Sequence, residues 1–127
     1  LQPLPQGCWN VRVLVLKDTQ CLYALGGCNS DQSFDTVQRL NLGRLQWDVM
    51  PLRLPFAASC IACFKEKESK VWFVLEGMLY CLNVAGDCAI TLKKPVGDAK
   101  SEAGVSYYHQ GYLYCSTYRG VAERYEI

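Results

Sequence analysis

The feature that most limits what this chain can fold into is a unit that recurs at long spacing. A strand-like run, a turn and an apolar strand ending in small residues appear as CLYALGG (Cys21 to Gly27), KVWFVLEG (Lys70 to Gly77) and GYLYCST (Gly111 to Thr117). Tyr23 and Trp72 are 49 residues apart, Trp72 and Leu113 41, and each copy has a second strand just upstream: VRVLVLKD, CIACFKEK and GVSYYHQ. A period of 20–50 residues marks an architecture of repeated units. The runs between turns are rich in Val, Ile, Leu, Tyr, Phe and Trp and are bounded by Gly, Asn, Asp and Pro, which predicts strands. Expected strands are 12–17, 20–25, 36–42, 46–50, 59–65, 70–75, 78–84, 89–92, 104–109, 112–116 and 122–127. The fold class is therefore all-β, and such short strands suit a sandwich, a barrel or a propeller.

Composition narrows the function classes. Half of the 127 residues are apolar and the net charge is +1, so the chain should bury a core and has no general pull toward phosphate backbones or anionic lipid. No run approaches the roughly 20 apolar residues of a spanning helix. No nucleic acid and no membrane are expected as partners. Eight cysteines suggest a disulfide framework at first sight, but Cys21, Cys60, Cys63, Cys81 and Cys115 stand inside apolar runs, where a free thiol behaves as a small hydrophobe. No Asn-x-Ser/Thr acceptor is present. The expectation is reduced thiols and a cytoplasmic location.

The first copy carries more than periodicity. LYALGG, VQRLNL, LQWDVMPL and LPF follow in order from Leu22 to Phe56, with 13 residues from Gly27 to Leu40 and 7 from Leu40 to Trp47. This pattern resembles a kelch repeat: an apolar strand closing on Gly-Gly, an aromatic strand midway, a Trp, and a Met/Pro turn into the next blade. Leu40 stands where that family usually has Tyr. The resemblance implies kelch-type β-propeller blades, four-stranded antiparallel sheets, over residues 10–54, 57–95 and 103–127, the last incomplete, and hence a partial propeller or a fragment of a larger one. Leu1 to Gly7 resembles the exit of a preceding blade, and the remaining blades are expected from the same protein or from other copies. The structural motif residues it implies are Gly26, Gly27, Leu40 and Trp47. Glycines tolerate positive φ and a close backbone neighbour, and a Trp wedged between blades predicts that Trp47→Ala costs about 3–5 kcal/mol. Later copies depart from the pattern, with Glu76-Gly77 and Ser116-Thr117 in place of Gly-Gly.

Catalytic constellations are hard to assemble. His109 is the single histidine and sits by a turn, so no Ser or Cys nucleophile has an evident base. Cys60-Ile-Ala-Cys63 matches half a redox or zinc site, but in one strand the two would point to opposite faces roughly 10 Å apart, and no second pair completes a metal site. Glu66 with Glu68 and Glu123 with Glu126 read as solvated pairs. The aromatics Trp72, Phe73, Tyr80, Tyr107, Tyr108, Tyr112 and Tyr114 alternate, which reads as core packing. No catalytic residue, metal ligand or cofactor is expected.

The kelch resemblance implies a protein-interaction scaffold or adaptor that binds a protein partner or peptide through loops at one end of the ring. Carried onto matching positions, the partner-binding candidates are Asn29, Ser30 and Asp31 in CNSDQSF, Arg53 and Phe56 at the first blade change, and Tyr118 and Arg119 in the third copy, with the second copy's loop beginning at Met78. The class includes substrate receptors of cullin-type ubiquitin ligases, with a BTB region outside the propeller, and cytoskeleton-associated proteins. Two other readings are a propeller enzyme or sugar-binding lectin, and a structural subunit of a large assembly.

Overall fold

The computed structural model describes residues 3–67, 69–85, 88–96, 103–117 and 122–127, omitting the side chains of 66, 67, 103–105 and 117. Among the described residues there are eleven strands: β1 (Arg12–Leu16), β2 (Cys21–Leu25), β3 (Thr36–Asn41), β4 (Gln46–Arg53), β5 (Ala62–Lys67), β6 (Lys70–Leu75), β7 (Met78–Asn83), β8 (Ala89–Pro95), β9 (Ala103–His109), β10 (Tyr112–Thr117) and β11 (Ala122–Glu126), with one short 3-10 turn at Lys17–Thr19. They form three antiparallel sheets, β1-β2-β3-β4, β5-β6-β7-β8 and β9-β10-β11. The all-β expectation holds, and each sheet is a meander of successive strands, the form of a propeller blade.

Tight turns explain the meanders. Glu76 and Gly77 between β6 and β7, and Gln110 and Gly111 between β9 and β10, all have positive φ. Such two-residue turns match the twist of antiparallel strands. Between β3 and β4, Asn41 Oδ1 accepts hydrogen bonds from the amides of Gly43 (2.9 Å) and Arg44 (3.0 Å), an Asx turn.

The second sheet is the centre of the molecule because both its faces are buried. Alternation along β5, β6 and β7 sends Cys63, Val71, Phe73, Leu75, Tyr80 and Leu82 one way. There they meet Leu16, Cys21, Tyr23, Leu25, Val37 and Met50 of the first sheet. Ala62, Phe64, Val74 and Leu79 point the other way and meet Leu113 and Cys115 of the third sheet. The contact with the third sheet is closest between β5 and β9, where Ser106 Oγ accepts from the Cys63 amide (3.2 Å) and donates to the Cys63 carbonyl (2.9 Å).

On the first sheet, the register aligns Leu22, Leu40 and Trp47 in one row and Ala24, Gln38 and Val49 in the next. These rows lie on the face opposite Tyr23 and Val37, away from the second sheet. Gln38 is fully buried there beneath the N-terminal segment. The Gln6 amide donates to Gln38 Oε1 (3.0 Å), and Gln38 Nε2 donates to the Gln6 carbonyl (3.4 Å). Trp47 is half-buried and outside the core shared by the first two sheets. At this site Trp47→Ala is expected to cost about 1–2 kcal/mol in chemical denaturation, since only part of the indole leaves water on folding.

The aromatic set divides. Phe73 and Tyr80 are core residues, but Tyr107, Tyr108 and Tyr114 are 66%, 38% and 39% exposed, which corrects the reading of the whole set as core. Tyr107 stacks on His109 (6.2 Å), and the Arg124 guanidinium lies 4.6 Å from the Tyr112 ring centre.

Cys60 also differs from expectation. β5 begins at Ala62, and Cys60 precedes it with φ +52, so Cys60 and Cys63 do not share a strand. Both are buried, and all eight cysteines are free thiols. Burial pushes Cys63 up to about 11, and burial with the nearby Glu123 carboxylate does the same for Cys115, against an ordinary value of 9.0. The unfolded chain therefore releases these protons first as pH rises. Their contribution to stability is full below about 9 and is lost as pH climbs through about 11. The urea midpoint should fall across that interval, and Cys63→Ala should flatten the fall.

Candidate interaction surface

Alternating strand direction sorts the loops to two ends. Residues 17–20, 42–45 and 110–111 lie at one end; the loops 26–35 and 54–61 lie at the other. The second end is built by backbone pairing between distant segments. After β2, the Gly26 amide donates to the Thr36 carbonyl and the Gly27 amide to the Ala58 carbonyl, each 2.9 Å. Phe34 closes the loop from within: its amide donates to the Gly27 carbonyl (2.8 Å) and its carbonyl accepts from Ala58 (3.0 Å). Trp9 and Cys28 exchange two amide-to-carbonyl bonds of 2.9 Å, so the segment before β1 is laid along the same loop.

The glycines fit no other residue here. Gly26 has φ +62, and a Cβ on it would stand 2.2 Å from the Ala58 carbonyl oxygen. Gly27 has φ +105 and would meet Cys8 Sγ at 2.9 Å and the Trp9 carbonyl oxygen at 3.0 Å. Cys8 itself is partly buried with its Sγ 3.7 Å from the Gly26 carbonyl, and burial, with Cys28 adding, pushes its thiol above the ordinary range.

Within this frame Asn29 is half-buried and structural in effect. Its Oδ1 accepts from the amides of Asp31 (2.8 Å) and Gln32 (2.9 Å), shaping the loop tip, while Ser30 and Asp31 project into solvent. Arg53 is exposed and bound to Asp35, Nη1 to Oδ1 at 2.8 Å. Breaking so exposed a pair by Asp35→Asn is expected to change stability by less than about 1 kcal/mol, readable as a small shift in denaturant midpoint. Phe56 is 47% exposed in the adjoining loop.

The structure thus brings Asn29, Ser30, Asp31, Arg53 and Phe56 to one end of the first sheet. Tyr118 and Arg119 lie outside the described residues. Where the second copy was expected to have a loop beginning at Met78, Glu76 and Gly77 make a two-residue turn and Met78 already begins β7. Trp9, 55% exposed beside Cys28, belongs to the same surface and escaped the sequence reading. Its place depends on pairing with a loop 19 residues away, which no local pattern announces. Trp9 and Phe56 thus give the loop an exposed aromatic ring on either flank, the residue type enriched at protein interfaces. Among the described residues no group of three or more His, Cys, Asp and Glu side chains is placed to hold a metal. Nor is any helix there long and apolar enough to cross a membrane.

Residues 16–51 match the family described as Kelch motif. No curated protein matches the chain.

Proposed function

The chain carries a kelch repeat, a motif that serves in general as a protein-interaction module, and on that premise we propose that it binds a protein partner through the loop end of its first sheet. The observation that supports this reading is the braced loop 26–35, held by backbone bonds to Trp9 and Ala58 and flanked by the exposed rings of Trp9 and Phe56. A rigid loop loses little conformational freedom on binding, and aromatic anchors give large contact area for few rotors. Ser30, Asp31 and Arg53 supply polar groups around them, and by its sequence position the third copy's pair Tyr118 and Arg119 is proposed for the same role. Two specific forms of the reading are substrate recognition within a cytoplasmic ubiquitin-ligase adaptor and attachment to the cytoskeleton.

A photo-crosslinking residue placed at Ser30 tests it against the same residue at Gly43, which lies at the opposite end. The expected result is one partner captured at Ser30 and not at Gly43, with capture reduced at least tenfold by Phe56→Ala. Equal capture from both ends, or indifference to Phe56, would sink the reading. A ligase scaffold or actin among the captured proteins separates its two forms.

A further inference from the structure

The free thiols are placed unevenly. Cys21, Cys60, Cys63, Cys81 and Cys115 are buried, while Cys8, Cys28 and Cys88 are partly exposed. Cys88 packs against the core shared by the first two sheets. Cys8 and Cys28 instead stand together at the end of the first sheet that carries the 26–35 loop, on two segments far apart in sequence.

Backbone pairing brings the two thiols there. Trp9 and Cys28 exchange two main-chain bonds of 2.9 Å, and Cys8 immediately precedes Trp9. Partners in such a pair stand about 5.5 Å apart at Cα, within the span of about 4.4–6.8 Å that a disulfide bridges. A regular ladder would turn Cys8 to the face opposite Cys28, but neither segment is regular: Asn10 has φ +54, and Gly26 and Gly27 have φ +62 and +105. The Cys8 sulfur is folded over Gly27, where an added Cβ would meet it at 2.9 Å, so it lies against the residue that precedes Cys28. Each sulfur reaches across to the other segment. Cys8 Sγ donates to the Gly26 carbonyl (3.7 Å), and Cys28 Sγ accepts from the Asn10 side-chain amide (3.8 Å). The two also act on each other, because Cys28 adds to the burial that raises the Cys8 thiol above its ordinary range.

We propose that Cys8 and Cys28 form a peroxide-sensitive dithiol, whose disulfide staples the segment ahead of β1 to the 26–35 loop. The Cys28 thiolate attacks one oxygen of hydrogen peroxide and breaks the O–O bond. The hydroxide released takes up a proton and leaves as water, and Cys28 becomes a sulfenic acid. Cys8, the thiol that burial protects, then attacks that sulfur. The S–S bond forms as the S–O bond breaks, and a second water leaves. Two thiols thus give up two electrons and two protons, and one peroxide takes them up. A dithiol reductant reverses the step by exchange. The bond forms or fails to form whatever the chain binds, so it does not rest on the partner reading.

The test treats the folded chain with a small excess of hydrogen peroxide, blocks the remaining thiols with N-ethylmaleimide in denaturant, and maps the digest by mass spectrometry. The expected product has lost two hydrogen atoms and contains one linked peptide, Cys8 to Cys28, with every other cysteine blocked. Cys8→Ser should leave Cys28 as a sulfenic acid that dimedone traps, Cys28→Ser should slow peroxide consumption at least tenfold, and Cys88→Ser should leave the linkage as it is. Thermal unfolding establishes that each variant is folded. In the linked chain, hydrogen exchange at the Trp9 and Cys28 amides should slow at least tenfold. Oxidation of the urea-unfolded chain should scatter the linkages, since there the fold no longer selects the pair. No Cys8–Cys28 link in the folded chain, a different dominant link, the same link in equal yield from the unfolded chain, or unchanged exchange at Trp9 and Cys28 would overturn the proposal.

Discussion

Phe73→Ala is expected to lower the unfolding free energy by about 3–5 kcal/mol, among the largest effects of any single truncation in this chain. Phe73 is fully buried in β6, with Cys63 opposite it on one side and Tyr80 on the other. Its ring stacks on Tyr80 with centres 5.5 Å apart. All three belong to the core that joins the first sheet to the second. Truncation leaves a void in that joint, where neighbouring strands are pinned by hydrogen bonds on both sides and cannot collapse to fill it. Urea unfolding followed by tryptophan fluorescence measures the loss. A cost below about 1 kcal/mol would mean that the two sheets are not joined through this ring. The contrast with Trp47, larger but half-buried on the far face, makes the point that position in the stack outranks size.

All eleven strands were legible from alternation and turn residues, because the side-chain period of a strand and the backbone needs of a turn are local. Their ends were less so. β4 runs on past Pro51 to Arg53 and β8 on to Pro95. Each is an outer strand, and a proline is compatible with an edge because its missing amide can face away from the ladder. The sequence places Cys60 in a strand because nothing about a cysteine signals the positive φ it adopts. Period two also does not say which face meets a neighbour, so Tyr107 and Tyr114 were read with Phe73 although their face is the exposed one. At the interaction surface CNSDQSF reads as a loop and Asn29 as a contact residue, whereas its side chain is turned back on the loop and accepts from the Asp31 and Gln32 amides. The placing of Trp9, and the replacement of a second loop by the Glu76-Gly77 turn, came only with the pairing of the chain.

Replacing Gly26 by alanine should cost about 3 kcal/mol, combining a left-handed backbone strain of about 1–2 kcal/mol with damage to a buried hydrogen bond worth about 1–3 kcal/mol. The backbone at Gly26 has φ +62, and its added Cβ would stand 2.2 Å from the Ala58 carbonyl oxygen. That oxygen accepts the Gly27 amide, so relieving the clash pulls apart the bond that ties the first sheet's loop to the chain entering the second. Two controls separate the causes. Gly111 also has positive φ, at +84, but open space around it, so Gly111→Ala should show the strain alone, about 1 kcal/mol. Gly43 has no positive φ and only the Asn41 side chain at 3.3 Å, so Gly43→Ala should be close to neutral. If Gly26→Ala costs no more than Gly111→Ala, the contact with Ala58 does not hold the loop. If it costs more, the same variant should loosen the 26–35 loop and weaken partner capture at Ser30 beyond what the loss of stability alone explains, because the segment that positions the candidate surface is the one that joins the blades.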